Sequence, residues 1–338
     1  MPKSVTVAAS RVGSPWYEVA ASLRRVMGGG DYHLEIDWRR HDHLNVRAVA
    51  GGDCDIGVTM PPLVAWAMRR GGGPLSDMVA ADLRVIAAVN LPAWLVAAVE
   101  RKAGFRTLRE LGEARFRWKP IMPPADHLLR GWEERILQLH GFSTADLKSW
   151  GGDDPLYCAG QLMHDATEGG LSADWAADRA PEPLVSYTQY LARNGLANGV
   201  FFVVNLASPW AGSLSLLPDL CFLEFDYQAL LTAQREHGAQ LLVLPDRIFP
   251  GVDRDLLTVG WRHQYIYGRS DTDPDLVRAI LGALERPQLL ENAVGASYSA
   301  VEPELVPGVE LHSASREWYD ATRRQSPALA GRGEGLYH

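Results

Sequence analysis

Two apolar runs, Leu83-Arg84-Val85-Ile86-Ala87-Ala88-Val89 and Leu95-Val96-Ala97-Ala98-Val99, are interrupted by Asn90-Leu91-Pro92. Each run is continuous and rich in β-branched residues, the pattern of a strand buried on both faces. Proline cannot donate to a strand ladder, so the two runs cannot form one central strand. A strand pair broken in this way suits a crossing from one lobe to another. Leu257 to Tyr267 reads as the long strand that returns. The 338 residues are enough for two separate cores. The expected division is residues 1–92 plus 262–338 as lobe 1 and 93–261 as lobe 2.

The opening stretch, Val5 to Tyr17, reads as strand, tight turn and helix. Val5, Val7 and Ala9 supply the strand and Gly13 permits the turn. Ser14 is a good N-cap, because its hydroxyl accepts from an otherwise orphan helical N–H. Pro15 suits the first helical position, where its missing N–H costs nothing. Trp16, Val19, Ala20, Leu23 and Met27 recur at helical spacing. A helix N-terminus at a strand's carboxyl end is a ready anion site, although many such turns in α/β domains bind nothing.

Further along, strands are expected at Tyr32–Trp38, Asp55–Met60, Phe116–Met122, Gly199–Val204 and Phe222–Phe225. Helices are expected at Leu44–Ala50, from Pro61, at Thr107–Leu111, after Asp126, and at Tyr227–His237 and Asp275–Leu284. The tail is helical and polar. Asp126 is the expected N-cap of the helix carrying Leu129, Trp132, Ile136 and Leu139. Residues 166–183, dominated by Ala, Asp, Glu, Gly and Pro, read as an insertion or mobile loop. The whole is an α/β chain.

Composition narrows the partners. The net charge is −8 with no dense Lys/Arg cluster, which argues against nucleic acid and anionic membranes. No apolar run approaches the roughly 20 residues that span a bilayer, so no membrane insertion is expected. Met1-Pro2-Lys3-Ser4 leads straight into the first strand without a signal peptide. As it stands the sequence reads as cytoplasmic, and as periplasmic if a leader was removed. Cys54, Cys158 and Cys221 form neither a CxxC motif nor a disulfide framework. There is no GxGxxG, P-loop, HExxH or G-x-S-x-G pattern, and no spacing demands a metal. No cofactor is expected.

Several segments together resemble the TAXI-type solute receptors of TRAP transporters. Gly13-Ser14-Pro15-Trp16-Tyr17 stands where that family has a Gly-Gly-Thr-Tyr-Tyr-like turn. Asp42-His43-Leu44-Asn45-Val46 and Gly52-Asp53-Cys54-Asp55-Ile56-Gly57 look like its Ser-Val-Glu-Asn-Leu loop and Gly-Glu-Ala-Asp-Leu-Ala strand. Met122 to His127 is similar to its Gly-Pro-Pro-Gly-Ser-Gly turn, and Phe201-Phe202-Val203 with Ala207-Ser208-Pro209 to its Phe-Phe-Val strand and Ala-Pro. Phe249-Pro250-Gly251-Val252-Asp253, Thr258-Val259-Gly260 and Leu311-His312 complete the series, in order, over nearly the whole chain. The resemblance implies a type II periplasmic-binding-protein fold, two-lobed, with two crossing strands and a cleft between the lobes. It implies a small carboxylate as ligand, held by helix N–H groups, hydroxyls and a base, and a TRAP membrane transporter as partner if the chain is exported. The departures fall at the binding turns, where Ala125-Asp126-His127 replaces Gly-Ser-Gly and Met60 replaces a frequent Gln.

The turns that face such a cleft nominate Ser10, Arg11, Ser14, Trp16, Tyr17, His41, Asp42, Asn45, Asn90, Trp94, Asp126, Asn205, Ser208, Trp210 and Arg262 as ligand-binding residues. Trp16, Trp94 and Trp210 could stack on a flat ligand or pack under their own helices. Arg262 could clamp a carboxylate bidentately or form a hinge salt bridge. His41 and His43 flank Asp42, either as an acid/base or metal set or as an exposed polar loop. Two readings of different class follow. One is a receptor that closes on an organic, aromatic or keto acid without chemistry. The other is a cytoplasmic decarboxylase or lyase on the same fold, in which His43, His127 and His263 serve catalysis by proton transfer.

Overall fold

The first strand–turn–helix unit forms as its residues dictate. Ser14 is extended (φ −75°, ψ 154°) and its side chain accepts from the Tyr17 N–H at 3.1 Å. Pro15 opens the helix, Glu18 lies in its first turn, and Arg24 and Arg25 lie in its last, all complementary to the helix dipole. Val19, Ala20, Leu23 and Met27 are buried against the sheet.

The structure is a computed structural model. It describes residues 2–10, 14–38, 42–68, 75, 77–123, 128–152, 156–157, 197–205, 214, 219–285, 300–301, 303, 305–306 and 308–325. The first part of the chain runs β1 (Lys3–Ala8), α1 (Pro15–Met27), β2 (Tyr32–Asp37), α2 (Asp42–Gly51), β3 (Ile56–Thr59), α3 (Pro61–Met68) and β4 (Leu83–Val89). The middle runs β5 (Ala93–Glu100), α4 (Leu108–Glu113), β6 (Pro120–Met122), α5 (Leu128–Leu139), α6 (Thr144–Ser149), β7 (Leu156–Tyr157), β8 (Gly199–Asn205), β9 (Leu220–Phe222), α7 (Tyr227–His237), β10 (Gln240–Leu244) and β11 (Leu256–Trp261). The last part adds β12 (Gln264–Arg269), α8 (Pro274–Leu284), β13 (Ala300–Val301) and α9 (Ser313–Gln325).

These strands build two sheets. One has the order β13-β4-β12-β3-β1-β2 and the other β10-β11-β5-β8-β6-β7, with β9 also paired to β5. The chain passes between them twice. Val89 pairs with Gln264 in the first sheet, and Ala93 pairs with Trp261 in the second. Asn90-Leu91-Pro92 and Arg262-His263 are therefore the two crossings, side by side. Two lobes, each an α/β sheet, joined by two crossing strands form the type II binding-protein arrangement that the resemblance implies.

The expected return strand Leu257–Tyr267 is corrected in one respect: it is two strands in different sheets, broken at Arg262-His263. The expected strand Phe116–Met122 shrinks to Pro120–Met122. Trp118 instead sinks into the core and donates from Nε1 to the Ala98 carbonyl at 3.3 Å. Strand Phe222–Phe225 lies earlier, at Leu220–Phe222. The stretch 166–183 and Asp126 lie outside the described residues.

Close approach at the crossings requires small residues. A Cβ on Gly260 would sit 1.9 Å from the Ala93 carbonyl oxygen, across the pairing that joins β11 to β5. Val5, Leu23, Ile56, Ile266 and Ile280 belong to a core that α1 and α8 cover on one face of the first sheet. Trp94, Val96, Phe202 and Leu242 belong to a core of the second. A further cluster holds residues of both lobes together, with Met60, Leu63 and Tyr265 from the first and Leu95, Trp132 and Trp261 from the second.

Candidate functional site

Register fixes which edges of the two sheets face each other. In the first sheet β1 runs parallel to β2 and β3, and Thr59, the last residue of β3, lies opposite Tyr265. Tyr265 is one residue beyond Gln264, where the return crossing enters that sheet. In the second sheet β6 runs parallel to β7 and β8, and Asn205, the last residue of β8, lies opposite Ala93, where the outward crossing enters. Both sheets therefore turn the carboxyl ends of their parallel strands toward the crossings. In open α/β sheets that is the edge at which ligands bind. The helices that follow these strands, α1 and α2 in one lobe and α5 in the other, begin at the same edge.

At the floor of this edge Gln264 is buried and ties three elements together. Its Oε1 accepts from the Trp16 indole N–H at 2.8 Å, and its Nε2 donates to the Leu91 carbonyl at 3.0 Å. The first turn of α1, the outward crossing and the return strand thus meet on one amide.

The walls carry an unusual set of polar groups. Asn45 in α2 is fully buried, and neither atom of its amide has a hydrogen-bond partner. The Thr59 hydroxyl at the end of β3 is buried and unpartnered. On the second lobe the Trp132 and Trp261 rings meet at 5.2 Å with their planes tilted by 40°, and neither indole N–H has an acceptor. Glu133, beside Trp132 in the second turn of α5, is fully buried with both carboxyl oxygens unpartnered. Burial pushes its carboxyl well above the ordinary carboxylate value, while the field of Arg130 works the other way. Each buried group left without a partner costs about 1–3 kcal/mol.

The residues nominated from sequence fall in several places. Ser10 and Asn205 are buried at the carboxyl ends of β1 and β8. Ser14 caps α1, and Trp16 and Tyr17 occupy its first turn, partly buried. Asn45 is one of the unpartnered groups. Asn90 is exposed in the outward crossing. Arg262 is exposed in the return crossing, and its backbone N–H donates to Gln240 Oε1 at 3.0 Å. His43 lies on α2 and His263 next to Arg262. Trp94 is corrected: it lies within β5 rather than in a turn, packs into the second sheet's core, and commits its indole N–H to the Val243 carbonyl at 3.0 Å. Arg11, His41, Asp126, His127, Ser208 and Trp210 lie outside the described residues, as does the Asp42 side chain. Sequence reasoning missed Thr59, Trp132, Glu133, Trp261 and Gln264. The strand ends and the double crossing were the signals that could have found Thr59 and Gln264.

A concavity of about 410 Å³ is lined by Arg106, Glu224, Asp253 and Arg254 on the second lobe. Its charges answer one another. Asp253 takes Arg106 at 2.8 Å and Arg254 at 2.7 Å, and Arg254 also reaches Glu224 at 2.8 Å. The arginines hold the Asp253 carboxyl down at about 2. Among the described residues no group of three or more His, Cys, Asp or Glu is placed to hold a metal ion. No described helix is long and apolar enough to cross a membrane.

No protein-family model matches the chain, and no curated protein matches it. Among solved structures it is similar to a protein of Bordetella bronchiseptica RB50, at 13% identity and a TM-score of 0.47, covering 96% of this chain and 98% of that one. It is similar to the periplasmic aliphatic sulphonate binding protein SsuA of Escherichia coli, at 12% identity and a TM-score of 0.42, covering 100% of this chain and 80% of that one. It is also similar to PhnD1 of Prochlorococcus marinus (MIT 9301), solved in complex with methylphosphonate, at 9% identity and a TM-score of 0.45, covering 97% of this chain and 99% of that one. Likeness at this level carries no argument about ligand or role, and the architecture rests on the register and crossings described above.

Proposed function

We propose that this chain is a solute-binding receptor that takes a small organic molecule between its lobes and closes over it. One observation carries the reading. Asn45 and Thr59 on one lobe, and Trp132, Glu133 and Trp261 on the other, all lie at the edge that faces the crossings, buried and without hydrogen-bond partners. Folded proteins leave few buried polar groups unsatisfied. Five such residues, at about 1–3 kcal/mol each, weigh as much as the whole stability of an ordinary domain. Opening the lobes hydrates Asn45, Thr59 and the two indoles, and a bound solute satisfies all five residues. A closed state without ligand is therefore the disfavoured one, and ligand shifts the equilibrium by its preference for the closed state.

The finer form of the reading follows the resemblance. The ligand is a small carboxylate, with the first turns of α1 and α2 seating its anionic end. Lobe 1 comprises residues 1–92 and 262–338, and lobe 2 comprises residues 93–261. The receptor is of TAXI type and, when exported, delivers its ligand to a TRAP transporter.

The test is native mass spectrometry of the protein with a pool of small mono-, di- and aromatic carboxylates, followed over an hour. A receptor gives a one-to-one adduct of unchanged ligand mass. At about 100 times the dissociation constant that ligand stabilises the fold by roughly 2.7 kcal/mol. A pool member converted to a product lighter by carbon dioxide or water overturns the receptor and makes the protein an enzyme.

A further inference from the structure

Of these five residues Glu133 stands apart, because it alone can carry a charge. Its carboxyl is fully buried and accepts nothing. An ionised carboxylate taken out of water without a partner costs far more than a neutral polar group, so an unliganded Glu133 holds a proton. Arg130 acts on it through its field, and no neighbouring charge is hydrogen-bonded to it. Arg130, on the same helix, is partly buried and spends a guanidinium N–H on the Pro123 carbonyl at 3.0 Å. Glu134, also on α5, turns to the Thr144 N–H at 3.2 Å. Arg135 is paired in two-pronged fashion with Glu236 of α7, both contacts at 2.8 Å. Asp226, the N-cap of α7, is engaged by Arg109 at 2.6 Å, Arg235 of α7 donates to the Thr232 hydroxyl at 3.3 Å, and β8 presents no charged residue. The lobe therefore holds a buried acid beside an aromatic pair, reached by the field of Arg130 but hydrogen-bonded to no cation among the described residues.

We infer that Glu133 and Trp132 form the seat for an ammonium group of the ligand, so that the solute is an organic amine at the end that meets the second lobe. A protonated amine supplies what the site lacks. It brings N–H donors to both carboxyl oxygens and a positive charge that makes ionisation of Glu133 favourable. Its C–H and N–H surface is attracted by the negative face of an indole ring. On binding, the Glu133 proton passes to solvent and a buried ion pair replaces a neutral carboxyl. The chain's net charge of −8 favours approach of a cation. The inference rests on the receptor reading.

The test uses methylammonium as a minimal probe. Thermal unfolding of the full chain is followed at about pH 8 in methylammonium chloride against sodium chloride, each to about 100 mM so that ionic strength is equal. The wild type should melt about 2–4 °C higher in methylammonium, and Glu133→Gln should melt alike in the two salts. An equal methylammonium response in both proteins, or none in the wild type, overturns the seat. If Glu133→Gln does not fold, difference infrared spectroscopy of the wild type decides. Methylammonium should remove a protonated carboxyl band that sodium leaves in place, and a band unmoved by both overturns the inference. Compaction by carboxylates with no methylammonium effect would sink the seat and spare the receptor. A methylammonium effect without compaction by any ligand would do the reverse.

Discussion

Asn45 and Thr59 separate a polar group kept for binding from one kept for stability. A buried hydroxyl or amide with no partner weakens the fold that holds it, and an apolar residue of similar shape removes that cost. Thr59→Val and Asn45→Leu should therefore favour closure of the lobes in the absence of ligand, Thr59→Val by about 1–2 kcal/mol, while weakening solute binding. Denaturant midpoints with and without the bound solute check this, and a loss of ligand-free stability would assign both residues to structure. Glu133 makes a matching case in pH. Its folded value lies above the ordinary 4.5. The stability it permits is full below about pH 4.5 and is lost as pH rises through the raised value. Glu133→Gln should thus be the more stable protein at neutral pH and lose its advantage in acid, which urea titrations across that range would show. The sequence could not reveal this residue. Trp132-Glu133-Glu134-Arg135 reads as a charged stretch, and only the packing of α5 turns Glu133 inward with Leu129, Ile136 and Leu137. Ser14 was legible because a cap is a local contact. Trp94 was misread because a residue two positions after a proline passes for a turn residue until the pairing of β5 with β11 is known.

At the scale of elements, the crossings were legible and their join was not. Pro92 breaks the apolar run from Leu83 to Val99, so the sequence itself divides that run between two sheets. The return segment has no such mark, since Trp261-Arg262-His263-Gln264-Tyr265 continues an apolar pattern with two polar residues inside it. Gly260 is where the join can be broken. Its missing Cβ admits the Ala93 carbonyl, so Gly260→Ala should destabilise the chain by about 1–3 kcal/mol or more, measured by denaturant unfolding. A neutral outcome would mean the pairing of β11 with β5 is loose. The α5–α7 packing carries a pH dependence of opposite sign to that of Glu133. His140 donates from Nδ1 to the Ile136 carbonyl at 2.8 Å, and its Nε2 accepts from the Asp226 N–H at 2.9 Å, which admits only the neutral ring. Burial lowers its value below 6.5. The stability this arrangement contributes is present above about pH 6.5 and is lost as pH falls through the lowered value. Stability measured from pH 7.5 down to 5 should decline in the wild type, and His140→Phe should flatten that part of the curve.

For the molecule as a whole, the two-lobed architecture was legible because Pro92 breaks the apolar run at a crossing and the ordered segments resemble a two-lobed family. The site was only partly readable, because it is assembled from strand ends and helix faces distant in sequence. Thr59 and Trp261 meet at one edge through the register of β3, β12, β11 and β5, and nothing local to either residue says so. The same geometry makes the central claim mechanical: two lobes on two crossings, with unpartnered polar groups on their facing edges, should stand apart without ligand and close with it.

Small-angle scattering of the full chain, alone and with the carboxylate or amine that mass spectrometry identifies, tests that claim most directly. A compact chain of 338 residues has a radius of gyration of roughly 20 Å. The ligand-free protein should exceed the radius calculated from the closed structure, and saturating ligand should bring it down to that value. A ligand bound one-to-one with no change in radius would contradict lobe closure and, with it, the account of why Asn45, Thr59, Trp132, Glu133 and Trp261 are left without partners.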